Sequence, residues 1–209
     1  MLMSVERIGF ETKAQIFSAL KHLVENGCPS KSVSVTDICK EAGVSRQTFY
    51  NHFKDKYAVT QWFFDLVSNR YLHEAGRSLS YHEANLFTNR IFASNLTMVS
   101  ALLKENGYQA LGAYAYRGRK EELVRTITQY KGLEITRDLE LILDYHVTAE
   151  TSLVGRWIKD GALESPERFA EIQEECVPRK LYEIIGKPTP GCERPVESML
   201  QFILWNLEA

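Results

Sequence analysis

The sequence has little of what marks a secreted, metal-stapled or membrane protein. Its 209 residues include four cysteines, scattered at positions 28, 39, 176 and 192. No two are close enough for a zinc clip or a redox Cys-x-x-Cys pair, so we expect free thiols. The longest uncharged stretch, residues 91–103, contains four polar residues and falls short of the ~20 apolar residues that cross a bilayer. With no signal-peptide segment at the N-terminus, this predicts a soluble cytoplasmic protein without a membrane partner.

Catalytic and cofactor signatures are missing as well. There is no GxGxxG after a strand, no GxxxxGK[ST], no HExxH and no GxSxG. We therefore expect neither an enzyme nor a bound cofactor, and an enzyme acting on a small molecule ranks behind the two functions given below. The net charge of -2, from 25 basic and 27 acidic residues, indicates no global affinity for a polyanion. A binding site for a charged partner must therefore be sought in the charge pattern of individual segments.

The pattern that is present is helical. Glycine is sparse and prolines cluster near the end, while long stretches rich in Leu, Ala, Glu, Lys and Arg alternate with short breaks. We predict an all-α fold with a helix-turn-helix domain at 1–56 and a larger helical domain at 57–209, without strands. The predicted helices are 11–26, a short one that Thr36 caps and Gly43 ends, one that Ser45 caps, and then 56–77, 81–105, 119–134, 137–159, 166–176 and 195–207, with loops at 106–118, 160–165 and 186–195.

Residues 36–56, TDICKEAGVSRQTFYNHFKDK, carry the chemistry. Two short capped helices joined by a glycine turn have the spacing of a helix-turn-helix. At 100° per residue, Phe49 and Phe53 share the inner face of the second of these helices. Its outward half offers side chains that can read guanine, adenine and the thymine methyl group in a major groove. These are Arg46, Gln47, Thr48, Tyr50, Asn51 and Lys54.

Local charge agrees with a DNA partner without proving it. Residues 1–56 hold eight basic and six acidic residues, against 17 and 21 in the remainder. A weakly positive head on a negative body suits DNA binding at one end. Because the head is less basic than most DNA-binding domains, dimerisation is expected to supply affinity.

At these residues the chain resembles the TetR (tetracycline-repressor-like) family of transcriptional regulators. The shared features are a small residue, a glycine turn, a recognition helix that ends Tyr-x-His-Phe, and a lysine that opens the next helix. Cys39, where the family usually has Ala, and Tyr57, where an acidic residue is common, depart from the pattern. The resemblance implies base reading by Arg46, Gln47 and Thr48. It implies phosphate contacts by Thr36, Ser45, Tyr50, His52 and Lys56.

A second, weaker resemblance covers residues 145–169, which are similar to the dimerising region of the dihydroxyacetone-kinase-regulator subgroup. The family resemblance implies a homodimer on a palindromic double-stranded operator and a C-terminal domain that often binds a small effector. The chain beyond Glu174 has no place in this comparison. The implied function is a dimeric repressor relieved by an effector; the alternative is a TetR-like co-activator or protein-interaction module with little DNA affinity of its own.

The larger domain offers candidate pocket residues. Aromatic side chains at helical spacing are more often core than pocket lining, and an i,i+4 His–Glu pair is more often a structural polar pair than a ligand site. Both interpretations stay open for each residue. The candidates are Trp62, Phe63, Phe87, Phe92, Tyr114, His146 and Glu150.

Overall fold

A computed structural model describes residues 2–106 and 108–192 of the chain. The prediction of an all-α fold is confirmed: within these ranges there are ten α-helices and no strand. None of the helices in these ranges has an apolar stretch long enough to span a membrane. The described residues form two compact units, 2–66 and 67–192.

The first unit contains α1 (Leu2–Glu25), α2 (Val35–Ala42), α3 (Arg46–His52) and the start of α4 (Lys56–Arg70). Helix α1 begins earlier than the predicted residue 11. The core is closed by large side chains from all four helices, and the rings of Phe17 and Phe63 stack with centroids 4.5 Å apart. Burial of such side chains contributes ~1.5–3 kcal/mol each. The fully buried members are Ile16, Phe17, Leu20, Ile38, Phe49, Val59 and Phe63.

The start of α2 corrects the prediction that Thr36 caps this helix. Ser34 is the N-cap: its hydroxyl accepts from the Asp37 amide at 3.2 Å. The Asp37 carboxylate in turn accepts from the Ser34 amide at 2.9 Å. This reciprocal capping box satisfies two backbone donors at the helix start. Thr36 lies in the first turn, which leaves its hydroxyl available for another role.

The second unit contains α5 (Tyr81–Ser94), α6 (Leu96–Asn106), α7 (Tyr108–Arg125), α8 (Arg137–Lys159), α9 (Pro166–Glu175) and α10 (Arg179–Ile185). The predicted helices 137–159 and 166–176 are confirmed to within a residue. The predicted helix 81–105 is wrong, since it is interrupted at Asn95. That side chain donates to the Ile91 carbonyl at 2.9 Å and so competes with the helix ladder.

The predicted loop 106–118 is also wrong, because α7 covers most of it. The predicted helix 119–134 is replaced by the end of α7 and a π-helical segment, Thr126–Tyr130. The loop at 160–165 is confirmed. The helices on either side of it are in contact, because the rings of Trp157 and Phe169 stack with centroids 4.4 Å apart. The predicted helix 195–207 lies outside the described residues.

Helix α4 ends earlier than the predicted residue 77. A 3-10 turn, Leu72–Glu74, and a tight turn at Gly76 follow it. Gly76 has a φ of 76°, and a Cβ there would lie 3.0 Å from the Ile185 Cα. Both the left-handed backbone and the close approach of α10 require glycine at this position.

Candidate nucleic-acid interface

The packing of α2 and α3 turns one face of the pair inward. Ile38 and Phe49 are fully buried, and the Gln15 side-chain amide donates to the Ala42 carbonyl at 2.7 Å, which ties α1 to the end of α2. Gly43, with a φ of 64°, ends α2 in the left-handed conformation, and the Val44 amide returns to the Cys39 carbonyl at 3.0 Å. This close turn sets the direction of α3.

The predicted cap of α3 is confirmed. The Ser45 hydroxyl accepts from the Thr48 amide at 2.9 Å, and the hydroxyls of Ser45 and Thr48 also lie 2.9 Å apart. These two side chains are therefore engaged with each other and with the helix end. Their hydroxyls stabilise the first turn of α3.

Three other predicted DNA-binding residues form a cluster on the surface. The Arg46 guanidinium donates through Nη1 to the Thr36 hydroxyl at 3.1 Å. It donates through Nη2 to the Tyr50 hydroxyl at 3.4 Å, a long and weak bond. Arg46 also lies 5.8 Å from the centre of the Tyr50 ring. We call Thr36, Arg46 and Tyr50 the hydroxyl–guanidinium cluster.

Gln47 and Asn51 lie on the adjacent exposed face of α3. Neither side chain hydrogen-bonds to another residue in the described part of the chain. Lys54, just beyond the helix end, is exposed in the same way, whereas His52 is half-buried. Two carboxamides held on a rigid helix and open to solvent can form paired hydrogen bonds with base edges.

Lys56 has a role that the sequence did not reveal. Its ammonium donates to the carbonyls of Ser30, Lys31 and Val33 at 2.6, 3.0 and 3.0 Å. An ammonium has three N–H donors, so all are used on the loop before α2. In this structure Lys56 fastens that loop to the start of α4.

Comparison with known protein families gives a match at the helix-turn-helix. Residues 30–61, which contain α2 and α3, match the family described as bacterial regulatory proteins, tetR family. By this match the helix-turn-helix segment of the chain is similar to that of tetR-family regulators. No curated protein sequence matches the chain.

Solved structures extend the likeness beyond the TetR helix-turn-helix. The dihydroxyacetone kinase operon activator DhaS aligns with a TM-score of 0.63 and 18% identity, over 83% of this chain and 98% of that one. A TetR transcriptional regulator from Streptococcus agalactiae 2603V aligns with a TM-score of 0.50 and 21% identity, over 86% of this chain and 100% of that one. A third structure is the TetR family repressor AlkX from Dietzia sp. strain DQ12-45-1b, implicated in biodegradation of n-alkanes. It aligns with a TM-score of 0.51 and 17% identity, over 82% of this chain and 98% of that one. At these identities the likeness shows the fold. It is consistent with the resemblance of residues 145–169 to the dihydroxyacetone-kinase-regulator subgroup.

The predicted pocket aromatics do not form one group. Trp62 and Phe63 pack in the first unit, where the Trp62 ring lies 5.7 Å from Phe10 and 6.1 Å from Phe53. In the second unit Phe87 lies 5.5 Å from Tyr71. The other two, Phe92 and Tyr114, are buried on α5 and exposed on α7 respectively.

His146 and Glu150, by contrast, do lie together, in a buried polar network of the second unit. Arg119 on α7 binds the Glu150 carboxylate through Nε at 2.8 Å and Nη2 at 3.2 Å. The Tyr81 hydroxyl on α5 donates to the same carboxylate at 2.7 Å. A third Arg119 bond, from Nη1, reaches the Leu72 carbonyl at 2.7 Å. Sequence reasoning missed Arg119 and Tyr81, because only the i,i+4 spacing of His146 and Glu150 signalled the site.

The network is strongly polarised. Burial alone would raise the pKa of Glu150, but the Arg119 charge and the hydrogen bonds around it hold that pKa at about 2. Burial and the Glu150 charge raise the pKa of Tyr81 well above its ordinary value, so this phenol stays a donor. Burial lowers the pKa of His146 despite the nearby carboxylate. The His146 Nε2 lies 3.8 Å from Glu150 and has no hydrogen-bond partner among the described residues.

Proposed function

We propose that this chain is a sequence-specific DNA-binding transcriptional regulator that reads a palindromic operator as a homodimer. The observation that carries the proposal is the outer face of α3, on which Arg46, Gln47, Tyr50 and Asn51 are all exposed. Beneath it, Phe49 and Ile38 fix the helix in a fully packed core. A rigid helix with polar, donor-rich side chains on its outer face is what a major groove accommodates.

The outer face of α8 supports the homodimer. Leu141 and Tyr145 are 51% and 69% exposed there and lie four residues apart on one face, where a second copy of the helix could cover both. The exposed positions of α8 are also symmetric about the point between residues 148 and 149. Two antiparallel copies would set Asp138 beside Lys159, Leu141 beside Arg156 and Tyr145 beside Ser152. The exposed row is Asp138, Leu141, Tyr145, Thr148, Ala149, Ser152, Arg156 and Lys159. Arg137 at the helix start is also exposed, and its counterpart in the same symmetry is the exposed Asp160, just beyond the helix end.

The dimer part of the proposal has its own test. Tyr145→Glu introduces a buried charge at the paired surface, so we expect light scattering to report a monomer at concentrations where the wild type is a dimer. Tyr57→Glu is the matched control, because Tyr57 is an exposed aromatic side chain of the first unit. A Tyr145→Glu protein that stays dimeric would remove α8 from the interface.

The mode of regulation that we propose is repression relieved by a small effector in the second unit. The buried network of Arg119, Glu150, Tyr81 and His146 supports an effector, since it joins α5, α7, α8 and the turn after α4 through polar groups. A ligand that displaced one of these bonds would favour a different arrangement of the helices. Effector action would then change the spacing of the two recognition helices, which must be ~34–36 Å for successive major grooves.

DNA retention from genomic fragments tests the proposal. The purified protein should retain a small set of fragments at 50 and 200 mM salt, and these should share a palindrome. Gln47→Ala should change the set, because Gln47 is exposed on the outer face of α3. Retention of all fragments alike would contradict sequence-specific binding.

A second candidate is a co-activator that works by binding another protein. It is favoured by the modest charge of residues 1–56, with eight basic and six acidic residues, and by the likeness to DhaS, which is named as an operon activator. This candidate predicts no selective retention of fragments. It also predicts that transcription of its target falls when the gene is deleted, whereas a repressor predicts a rise.

A further inference from the structure

Helix α3 presents two exposed faces with different chemistry. Arg46 and Tyr50, four residues apart, share one face, and Gln47 and Asn51 share the next, rotated by 100°. The first face carries a cation and a phenol, and the second carries two carboxamides. The two faces therefore suit different parts of a DNA duplex.

The hydrogen bonds of the hydroxyl–guanidinium cluster orient its remaining donors. Arg46 donates to the Thr36 and Tyr50 oxygens, so each hydroxyl acts as an acceptor toward the protein. Each hydroxyl hydrogen is then free to point outward as a donor. The guanidinium uses two of its five N–H groups in these bonds and has three left. The cluster thus combines one positive charge with donors from three side chains, and it offers no anion of its own.

The carboxylate that follows Thr36 in the sequence does not hydrogen-bond to the cluster. Asp37, next to Thr36, accepts from both the amide and the hydroxyl of Ser34, at 2.9 and 2.6 Å. Its pKa is lowered by these bonds, so it stays ionised and directed at the cap. Asp37 therefore leaves the positive charge of Arg46 open to an anion from outside the protein.

The position of Thr36 indicates which anion fits. Thr36 belongs to the first turn of α2, and Arg46 is drawn toward it at 3.1 Å, away from the Gln47 and Asn51 face. In a helix-turn-helix the first helix of the pair crosses the sugar-phosphate backbone, while the second enters the groove. A guanidinium with adjacent hydroxyl donors is well suited to phosphate oxygens.

We propose that Thr36, Arg46 and Tyr50 form a preassembled clamp for one backbone phosphate, which leaves base reading to Gln47 and Asn51. This inference rests on the proposed function and divides its contact surface. Because Gln and Asn pair with the N6 and N7 atoms of adenine, the operator should carry fixed A·T pairs opposite α3, and no guanine should depend on Arg46.

Selection from a randomised 30-base-pair duplex library tests this division. Wild type, Arg46→Ala, Tyr50→Phe and the double variant Gln47→Ala/Asn51→Ala would each be selected and then titrated against the wild-type sequence and a shuffled duplex. Arg46→Ala should select the wild-type motif, weaken binding to both duplexes by the same factor, and reduce the slope of log K against log salt by about 1.8, which is about 0.9 for each subunit of the dimer. Tyr50→Phe should weaken both duplexes equally with little change of slope.

The double amide variant should behave in the opposite way. We expect it to lose the fixed A·T pairs and to bind the shuffled duplex as the wild type does. Arg179→Ala is the charge control: this arginine is 94% exposed on α10, and its loss should change neither slope nor motif. Circular dichroism melts of each variant check that the fold is retained.

The outcomes separate the clamp from the proposed function. Loss of a fixed G·C pair in the Arg46→Ala selection, with the slope unchanged, would overturn the clamp while leaving sequence-specific binding intact. A wild type that selects no motif, but whose shuffled-duplex affinity and slope still fall on Arg46→Ala, would support the clamp and contradict the sequence-specific function. Unchanged binding of Arg46→Ala to every duplex would overturn the clamp.

Discussion

Glu150→Gln removes one charge from a buried ion pair, and its effect can be worked out from the structure. The side chains of Arg119 and Glu150 are 3% and 5% exposed and are joined at 2.8 Å. Glutamine has nearly the same shape, so the substitution leaves a buried guanidinium without its counter-charge. Breaking such a pair from one side costs ~3–5 kcal/mol.

The pKa of Glu150 gives an independent magnitude. A fall from its ordinary 4.5 to about 2 corresponds to about 3 kcal/mol of stabilisation, at 1.36 kcal/mol per pH unit. Because the folded-state pKa lies below the unfolded one, this stabilisation is fully present above pH 4.5. It is lost as the pH falls from 4.5 toward 2. The wild type should therefore lose stability over this range, and Glu150→Gln should lose less.

Urea unfolding followed by circular dichroism at 222 nm measures the effect. With a cost of ~3–5 kcal/mol and a slope of ~1–3 kcal/mol per molar urea, Glu150→Gln should lower the midpoint at pH 7 by about 1–5 M. Glu167→Gln is the matched control, since Glu167 binds Arg90 at 2.9 Å but both side chains are about half exposed. We expect its midpoint to match the wild type, because solvent screens exposed pairs. Equal midpoints for Glu150→Gln and Glu167→Gln would refute the reasoning.

Two further predictions concern the helix-turn-helix. Ser34→Ala should lower the stability of the first unit by about 1 kcal/mol, because it removes the capping box of α2. Thr36→Ala should leave that stability unchanged. A larger loss for Thr36→Ala than for Ser34→Ala in thermal melts would contradict the assignment of the cap. Phe49→Ala should cost ~3–5 kcal/mol, because this side chain is fully buried, whereas the exposed Tyr50→Ala should leave the melting temperature close to wild type.

Local rules predicted the elements whose signals are local. Helix α8, Arg137–Lys159, has Thr136 as its N-cap and acidic residues in its first turn, and both of its ends agree with the prediction. Helix α7 covers most of the predicted loop 106–118 although it contains glycines at positions 112 and 118. Each glycine costs a helix ~1 kcal/mol, which packing against α8 can outweigh. The sequence of a single segment does not predict such contacts between segments.

The site shows the same division. The polar face of α3 was predictable because its residues are contiguous and their periodicity separates Phe49 from them. The buried network was only half predictable, since Arg119 and Glu150 are 31 residues apart and only the fold brings them together. Lys56 was expected at a phosphate, and its three bonds to the loop carbonyls follow from the path of residues 30–33 rather than from any sequence pattern.

The central claim is that the outer face of α3 reads a DNA sequence. Its most direct test is the ratio of dissociation constants for the selected duplex and a shuffled duplex of equal length and composition, measured by fluorescence anisotropy at 150 mM salt. We expect the selected duplex to bind at least ~10³-fold more tightly, as specific regulators do, and the ratio to collapse in Gln47→Ala/Asn51→Ala. A ratio near one for the wild type would contradict the claim.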